Sequence, residues 1–161
     1  MSNTKTVTSA DKATVAGATF RLVYRSRSLL PAGSREADLG AIFRGARTKN
    51  ARLGITGALV LYDDWFAQAL EGDETAVRTL YARIEKDPRH SAVEVIEAGP
   101  AGGRVFARWA MAKVGEQGEP DIPLIATTTG VAEAAARPVS SDQEKVLKVL
   151  RDATVGYGRG Y

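Results

Sequence analysis

The chain contains no cysteine. That excludes disulfides, thiolate nucleophiles, cysteine-ligated iron–sulfur clusters and thiol-linked chromophores. It contains a single histidine, His90, so a His-rich metal site is excluded as well. No run of 18 uncharged apolar residues occurs, and no transmembrane helix is expected. Residues 1–18 are rich in Thr, Ser and Lys and lack the apolar centre of a signal peptide; a loose tail is expected there. Charge of one sign is also scarce. The 22 basic and 19 acidic residues are interspersed, leaving a formal net charge of +3. No basic stripe or RNA-type aromatic motif stands out, so neither direct nucleic-acid binding nor a membrane is expected. The expected compartment is the cytoplasm.

What is present suits a globular domain. At 161 residues and 44% hydrophobic composition, the chain is long enough to bury a core. Phe20, Leu22 and Tyr24 alternate on one face of a first strand. Ser34 is placed to cap a helix whose apolar stripe is Leu39, Ile42, Phe43 and Ala46, ending near Asn50. Strands over 55–62 and 65–71 flank Asp63-Asp64, a two-residue hairpin turn. Gly54 and Gly57 leave room for a close approach or a bend. Asp73 caps a second helix with Val77, Leu80, Tyr81 and Ile84 on its buried face, and Asp87-Pro88 stops it. A fourth strand is expected over 92–98. A fifth follows over 104–114, with Val105, Ala107, Trp109 and Met111 on one face. Residues 115–139 look irregular. The box Ser141-x-x-Glu144 then starts a short amphipathic helix over 141–153, and 156–161 looks flexible.

The expected class is α+β: a ferredoxin-like β-α-β-β-α-β core with an additional fifth strand. Two helices cover one sheet face, and the C-terminal helix packs on the opposite face. The expected units are a tail over 1–18, a domain over 19–114 and an extension over 115–161. No second catalytic domain is expected, so a sensed signal would pass through a partner protein or the chain's own oligomer.

One residue breaks the strand pattern. In Phe66-Ala67-Gln68-Ala69-Leu70, alternation puts Gln68 on the apolar face between Phe66 and Leu70. A buried carboxamide is costly without partners. Tyr24 faces the same helices, and a buried phenol needs an acceptor. Two readings are open. The pair is an ordinary satisfied core contact, or it presents a polar edge to a ligand held between the helices. A planar ligand with carbonyl and ring-nitrogen acceptors would satisfy Gln68 and Asn50 together. Asn50 is otherwise a helix C-cap.

Several separated motifs weigh in the second direction: Tyr24, the run Asn50-Ala51-Arg52-Leu53-Gly54-Ile55-Thr56-Gly57, Gln68, Asp87-x-Arg89-His90, and Trp109-Ala110-Met111. Together, over about 20–114, they resemble the BLUF family of flavin-binding blue-light sensors. The resemblance implies a non-enzymatic photoreceptor that binds a flavin non-covalently. FAD is the usual cofactor, and FMN and riboflavin share its ring. Asn50 matches the family's ring-binding asparagine. Lys49 stands where the family usually carries another Asn, facing the ribityl chain, the phosphates or solvent. Arg47 and Arg89 are implied toward the cofactor tail, with Arg47 equally readable as a solvated charge. Ile42 and Phe43 are implied to flank the ring. His90 reads as a structural or surface residue rather than a ligand.

For the photochemistry, the resemblance implies that Tyr24 donates an electron to the light-excited flavin and passes its proton through Gln68. Gln68 is left rotated or tautomerised, with new bonds to the ring that shift absorption to the red. Trp109 and Met111 then relay the change along the fifth strand to an unidentified effector. Two other functions are weighed against this. An acylphosphatase-like hydrolase would share the scaffold, but its nearest candidates, Arg25 and Asn50, lack a Gly-rich phosphate loop. A chromophore-free interaction module would have no use for all of Tyr24, Asn50, Gln68 and Met111.

Overall fold

The computed structural model describes residues 18–107, 110–113, 124–127, 130–133 and 140–155. β1 (Thr19–Ser28) is flanked antiparallel by β3 (Trp65–Gly72) and β4 (His90–Ala101). β2 (Thr56–Tyr62) pairs antiparallel with β3, and β5 (Ala112–Lys113) runs parallel to β2. The sheet order is β4-β1-β3-β2-β5. α1 (Arg35–Leu53) crosses from β1 to β2, and α2 (Glu74–Glu85) from β3 to β4. The result is the ferredoxin-like arrangement with one strand added.

Strand alternation divides the sheet into two faces. Phe20, Leu22, Tyr24, Phe66 and Leu70 pack with Phe43 of α1 and with Val77 and Leu80 of α2. Val23, Ala58, Val60, Ala67 and Ala69 face the other way. There they meet Val146, Leu147, Leu150 and Ala153 of α3 (Ser141–Val155). Alanines at three of those strand positions let α3 lie close to the sheet. Leu147 and Leu150 are fully buried, and each such burial stabilises by about 1.5–3 kcal/mol. The C-terminal helix is therefore part of the domain core.

Local chemistry corrects several sequence boundaries. α1 runs past Asn50 to Leu53, and the cap is Gly54, whose φ of 65° suits a residue without a Cβ. Ile55 N–H returns to the Asn50 carbonyl at 2.9 Å, and Gly54 N–H to the Ala51 carbonyl. This 6→1, 5→2 pattern is a Schellman end. Asn50 thus lies inside the helix, with its side chain released from capping. Ser34 starts α1 through its carbonyl, which takes the Asp38 N–H, while its hydroxyl bonds the Asp38 carboxylate. A Cβ on Gly57 would stand 2.0 Å from the Ala69 carbonyl oxygen, so that glycine serves backbone contact within the hairpin.

β4 is longer than the expected 92–98. As an edge strand it accommodates Pro100, and an irregular pairing near Arg25 and Arg27 absorbs Ala92 at φ 52°. The fifth strand is shorter than the expected 104–114. Glu71 prevents it from starting early: its carboxylate accepts the backbone N–H groups of Val105 (3.0 Å) and Phe106 (2.6 Å). Those donors are therefore lost to any ladder. Glu71 is fully buried and also accepts from Thr56 Oγ1, with Arg21 at 3.5 Å. Ser140, not Ser141, caps α3, its hydroxyl accepting the Gln143 N–H at 3.1 Å. Glu144 pairs with Arg151 rather than reaching back to the cap. Within 115–139, expected to be irregular, β6 (Leu124–Thr127) and β7 (Gly130–Glu133) form an antiparallel pair. Residues 1–17 of the expected tail and 156–161 lie outside the described residues.

Candidate functional site

β1 and β3 are in register with Tyr24 opposite Gln68. Directly opposed side chains on one sheet face lie within contact distance, and the pleat turns both toward the helices. Tyr24 O–H donates to Gln68 Oε1. The Gln68 amide nitrogen lies 3.4 Å from the Met111 sulfur. Tyr24 and Gln68 are 3% and 5% exposed, so both polar groups depend on this short chain of contacts. Burial, reinforced by Tyr81 and Asp87, pushes the Tyr24 phenol well above its ordinary pKa. The phenol therefore holds its proton in the ground state throughout the neutral range.

The two partners of Gln68 are unequal. A phenolic oxygen both donates and accepts, whereas a thioether sulfur only accepts weakly. Turning the amide over would let its NH2 group donate to Tyr24 and leave its carbonyl against sulfur. Only a new donor elsewhere would repay that change. Gln68 is thus the movable member of the set.

Gln68 and Tyr24 form the floor of a cleft between α1 and α2, about 190 Å³ in volume and open on one side. α1 supplies Ile42, Gly45, Ala46, Lys49 and Asn50, and α2 supplies Leu80, Arg83 and Ile84. A Cβ on Gly45 would meet nothing within 4 Å. A glycine inside a helix costs about 1 kcal/mol against alanine, and here it widens the cleft. Asn50 is 2% exposed, and its NH2 group donates to the Ala110 carbonyl at 2.8 Å. Asn50 itself lines the cleft. A planar ring with an N–H beside carbonyl and ring-nitrogen acceptors matches this donor and acceptor set. Lys49, Arg83 and Arg89 also line the cleft and suit an anionic tail.

Arg89 is held by Asp87, with Nη2–Oδ2 at 2.5 Å. The Arg89 hydrogen bond holds the Asp87 carboxyl below its usual range, against the opposing effect of burial. His90 is anchored at both nitrogens. Nε2 faces the Ile84 carbonyl at 2.6 Å and must carry a proton to bond it, while Nδ1 meets Ser26 Oγ at 2.7 Å. His90 ties β4 to β1 and α2, with its ring 6.2 Å from that of Tyr24.

Of the residues singled out in the sequence, Tyr24, Gln68 and Met111 come together. Asn50, Lys49, Ile42 and Arg89 line the same cleft. Phe43 is buried among the α1–α2 core residues and is not part of the cleft wall. Arg47 Nε donates to the Met111 carbonyl at 3.0 Å. Trp109 lies outside the described residues. Arg83 and Gly45 were not singled out. The signal for Arg83 was its spacing, three residues after the core-facing Leu80 on a helix already assigned a buried face.

Comparison with known proteins gives a consistent result. A family model described as "BLUF: Sensors of blue-light using FAD" matches residues 19–112. Photoactivated adenylate cyclase subunit beta of Euglena gracilis is 38% identical over 97 residues, 60% of this chain and 11% of that protein. The chain thus spans about a tenth of the length of such relatives. The dark-state structure of BlrB, a BLUF protein, is 35% identical and superposes with a TM-score of 0.59, covering 63% of this chain and 76% of that one. A Klebsiella pneumoniae BlrP1 manganese/cy-diGMP complex reaches a TM-score of 0.62 at 27% identity, covering 86% of this chain and 33% of that one.

Proposed function

The chain belongs to the BLUF family of blue-light sensors, and we propose that it switches through Tyr24 and Gln68, with FAD seated in the cleft between α1 and α2. The observation that carries this reading is the Tyr24 O–H bond to Gln68 Oε1, with the other end of the same amide against Met111 sulfur. A bound flavin supplies the blue absorption band and, once excited, a strong one-electron oxidant. With a flavin bound, Tyr24 would serve as its electron donor, and the Gln68 carbonyl oxygen would take the hydroxyl proton. An electron alone would leave a phenol radical cation in an apolar site, so the proton acceptor at Gln68 lowers the cost. Gln68, with one strong and one weak partner, would be the group whose amide rearranges and redirects its donors. Asn50 and Ile42, both on the cleft wall, would hold the ring.

Three cationic side chains at the cleft, Lys49, Arg83 and Arg89, favour a diphosphate tail and hence FAD over riboflavin. Among the described residues, no helix is long and apolar enough to cross a membrane, and the proposal places the sensor in the cytoplasm. Its output goes to a protein partner, or to a second copy, through the α3 side of the sheet.

The test is a light-minus-dark absorption spectrum of the purified, flavin-loaded protein. About 1 kcal/mol of extra hydrogen-bond strength in the excited state, against a blue photon of roughly 60 kcal/mol, moves the band by on the order of 10 nm. A red shift of that size, reversing in the dark, is expected. Permanent bleaching, or no reversible shift, refutes the reading. Chromatography of the released chromophore decides between FAD and FMN.

A further inference from the structure

Arg47 and Asn50 lie three apart on α1 and share a face. Asn50 Nδ2 donates to the Ala110 carbonyl at 2.8 Å, and Arg47 Nε to the Met111 carbonyl at 3.0 Å. One helix face therefore grips two successive carbonyls just before β5. The grip matters because the described pairs of β5 with β2, Ala112 with Ala58 and Lys113 with Leu59, begin after Met111. That ladder does not include Met111. Met111 has a flexible side chain that sets no position of its own. Its sulfur nevertheless lies 3.4 Å from the Gln68 amide nitrogen, in a residue 1% exposed. The Arg47 guanidinium is itself braced over the Phe43 ring at 5.3 Å, which suits its planar, pre-organised fork.

We propose that Arg47 is a positioning residue for the photoreaction: it holds the Met111 sulfur against the Gln68 amide and so sets how long the lit arrangement lasts. This rests on the Tyr24–Gln68 switch described above. In the dark arrangement, sulfur is the acceptor that receives the Gln68 NH2 group. Contacts of this kind lose about a quarter to a half of their strength when a gap of roughly 0.5–1 Å opens. Releasing the Met111 carbonyl lets the sulfur drift and weakens the pull on the rearranged amide to return. Thermal recovery then slows.

The test compares Arg47→Met, similar in length but without a donor, with wild type in the flavin-loaded protein. Flavin affinity and the reversible red shift are expected to persist. Dark recovery is expected to slow by roughly two- to fivefold, the scale of one weak hydrogen bond. Arg47→Lys, which offers a single donor to the same carbonyl, is expected to restore part of the rate. In a Met111→Leu background no sulfur remains, and adding Arg47→Met is expected to change recovery no further. A purely structural arginine would alter recovery in both backgrounds alike. Recovery at or above the wild-type rate in Arg47→Met overturns the proposal. So does a loss of flavin affinity with unchanged recovery, which would assign Arg47 to the cofactor tail. An undiminished effect in Met111→Leu overturns it too. Absence of any red shift in wild type would instead bring down the switch itself, and this inference with it.

Discussion

Tyr24→Phe removes one oxygen from the centre of the site. The ring remains, with its neighbours Tyr81 at 5.6 Å and His90 at 6.2 Å between centroids. The lost atom bonds Gln68 Oε1 in a position sealed from solvent. Deleting a buried donor whose acceptor stays behind costs about 1–2 kcal/mol. In a domain of this size each kcal/mol moves the melting temperature by about 2–4 °C. The expected loss is therefore roughly 2–8 °C, leaving a folded, flavin-loaded protein. Flavin fluorescence should rise, because the adjacent electron donor is gone. The light-induced red shift should disappear, because no proton reaches Gln68 Oε1. Stability against pH supplies an independent check. The folded phenol has a raised pKa, whereas the unfolded one ionises near about pH 10. The Tyr24 contribution to stability is thus fully present below that pH and lost as pH rises above it. The substitution should flatten this alkaline limb. A normal red shift of normal yield in Tyr24→Phe would show that another group supplies both electron and proton, and the reasoning would fail.

Gln68→Leu keeps the volume and removes every polar handle; flavin should remain bound and the red shift vanish, whereas a wild-type difference spectrum rules out the amide as the switch. Glu71→Gln should cost about 1–3 kcal/mol in urea denaturation, because its NH2 group must face an N–H donor of Val105 or Phe106, or the Thr56 hydroxyl; an unchanged midpoint would mean that this carboxylate does not fix the loop. Leu147→Ala should cost about 2–5 kcal/mol and lower the single melting transition of the whole domain, given its full burial against the sheet; a second, separate transition would show that α3 melts on its own. Hydrogen exchange in light should rise in 105–107 and α3 while β1 and β3 hold; change confined to α1 and α2 would place the output surface there.

Much of this was legible because it depends on local periodicity. Alternation alone put Tyr24 and Gln68 on the helix-facing side, and helical spacing placed Leu80 and Ile84 on the buried face of α2. The α3 stripe of Val146, Leu147 and Leu150 was equally plain. What failed to show depends on partners distant in sequence. Nothing near 104–107 announces that its backbone donors belong to Glu71, 34 and 35 residues earlier. Its alternating pattern therefore imitates a strand. Asn50 looked like a cap because asparagine tolerates left-handed geometry, but Gly54 does so at less cost and took the position. Arg47 could be placed on α1, but its carbonyl acceptor lies 64 residues away.

The two buried polar residues of β3 explain how a sheet can be both rigid and switchable. Glu71 and Gln68 are three apart and so face opposite sides. Glu71 has both oxygens filled, by two backbone N–H groups and a hydroxyl, with Arg21 nearby. Any movement of it would strand several donors, so it is fixed. Gln68 has one strong partner and one weak one, and can exchange them at small cost. The chain from Val105 to Met111 joins these residues. It is pinned at one end to Glu71 and to α3, where Gln143 donates to the Val105 carbonyl at 2.8 Å. At the other end it meets Gln68 and the α1 grip. If the proposed switch operates, a change at the movable amide would be delivered to a segment whose far end is already fastened to the helix on the opposite face. The sheet would then not need to deform for the signal to cross it.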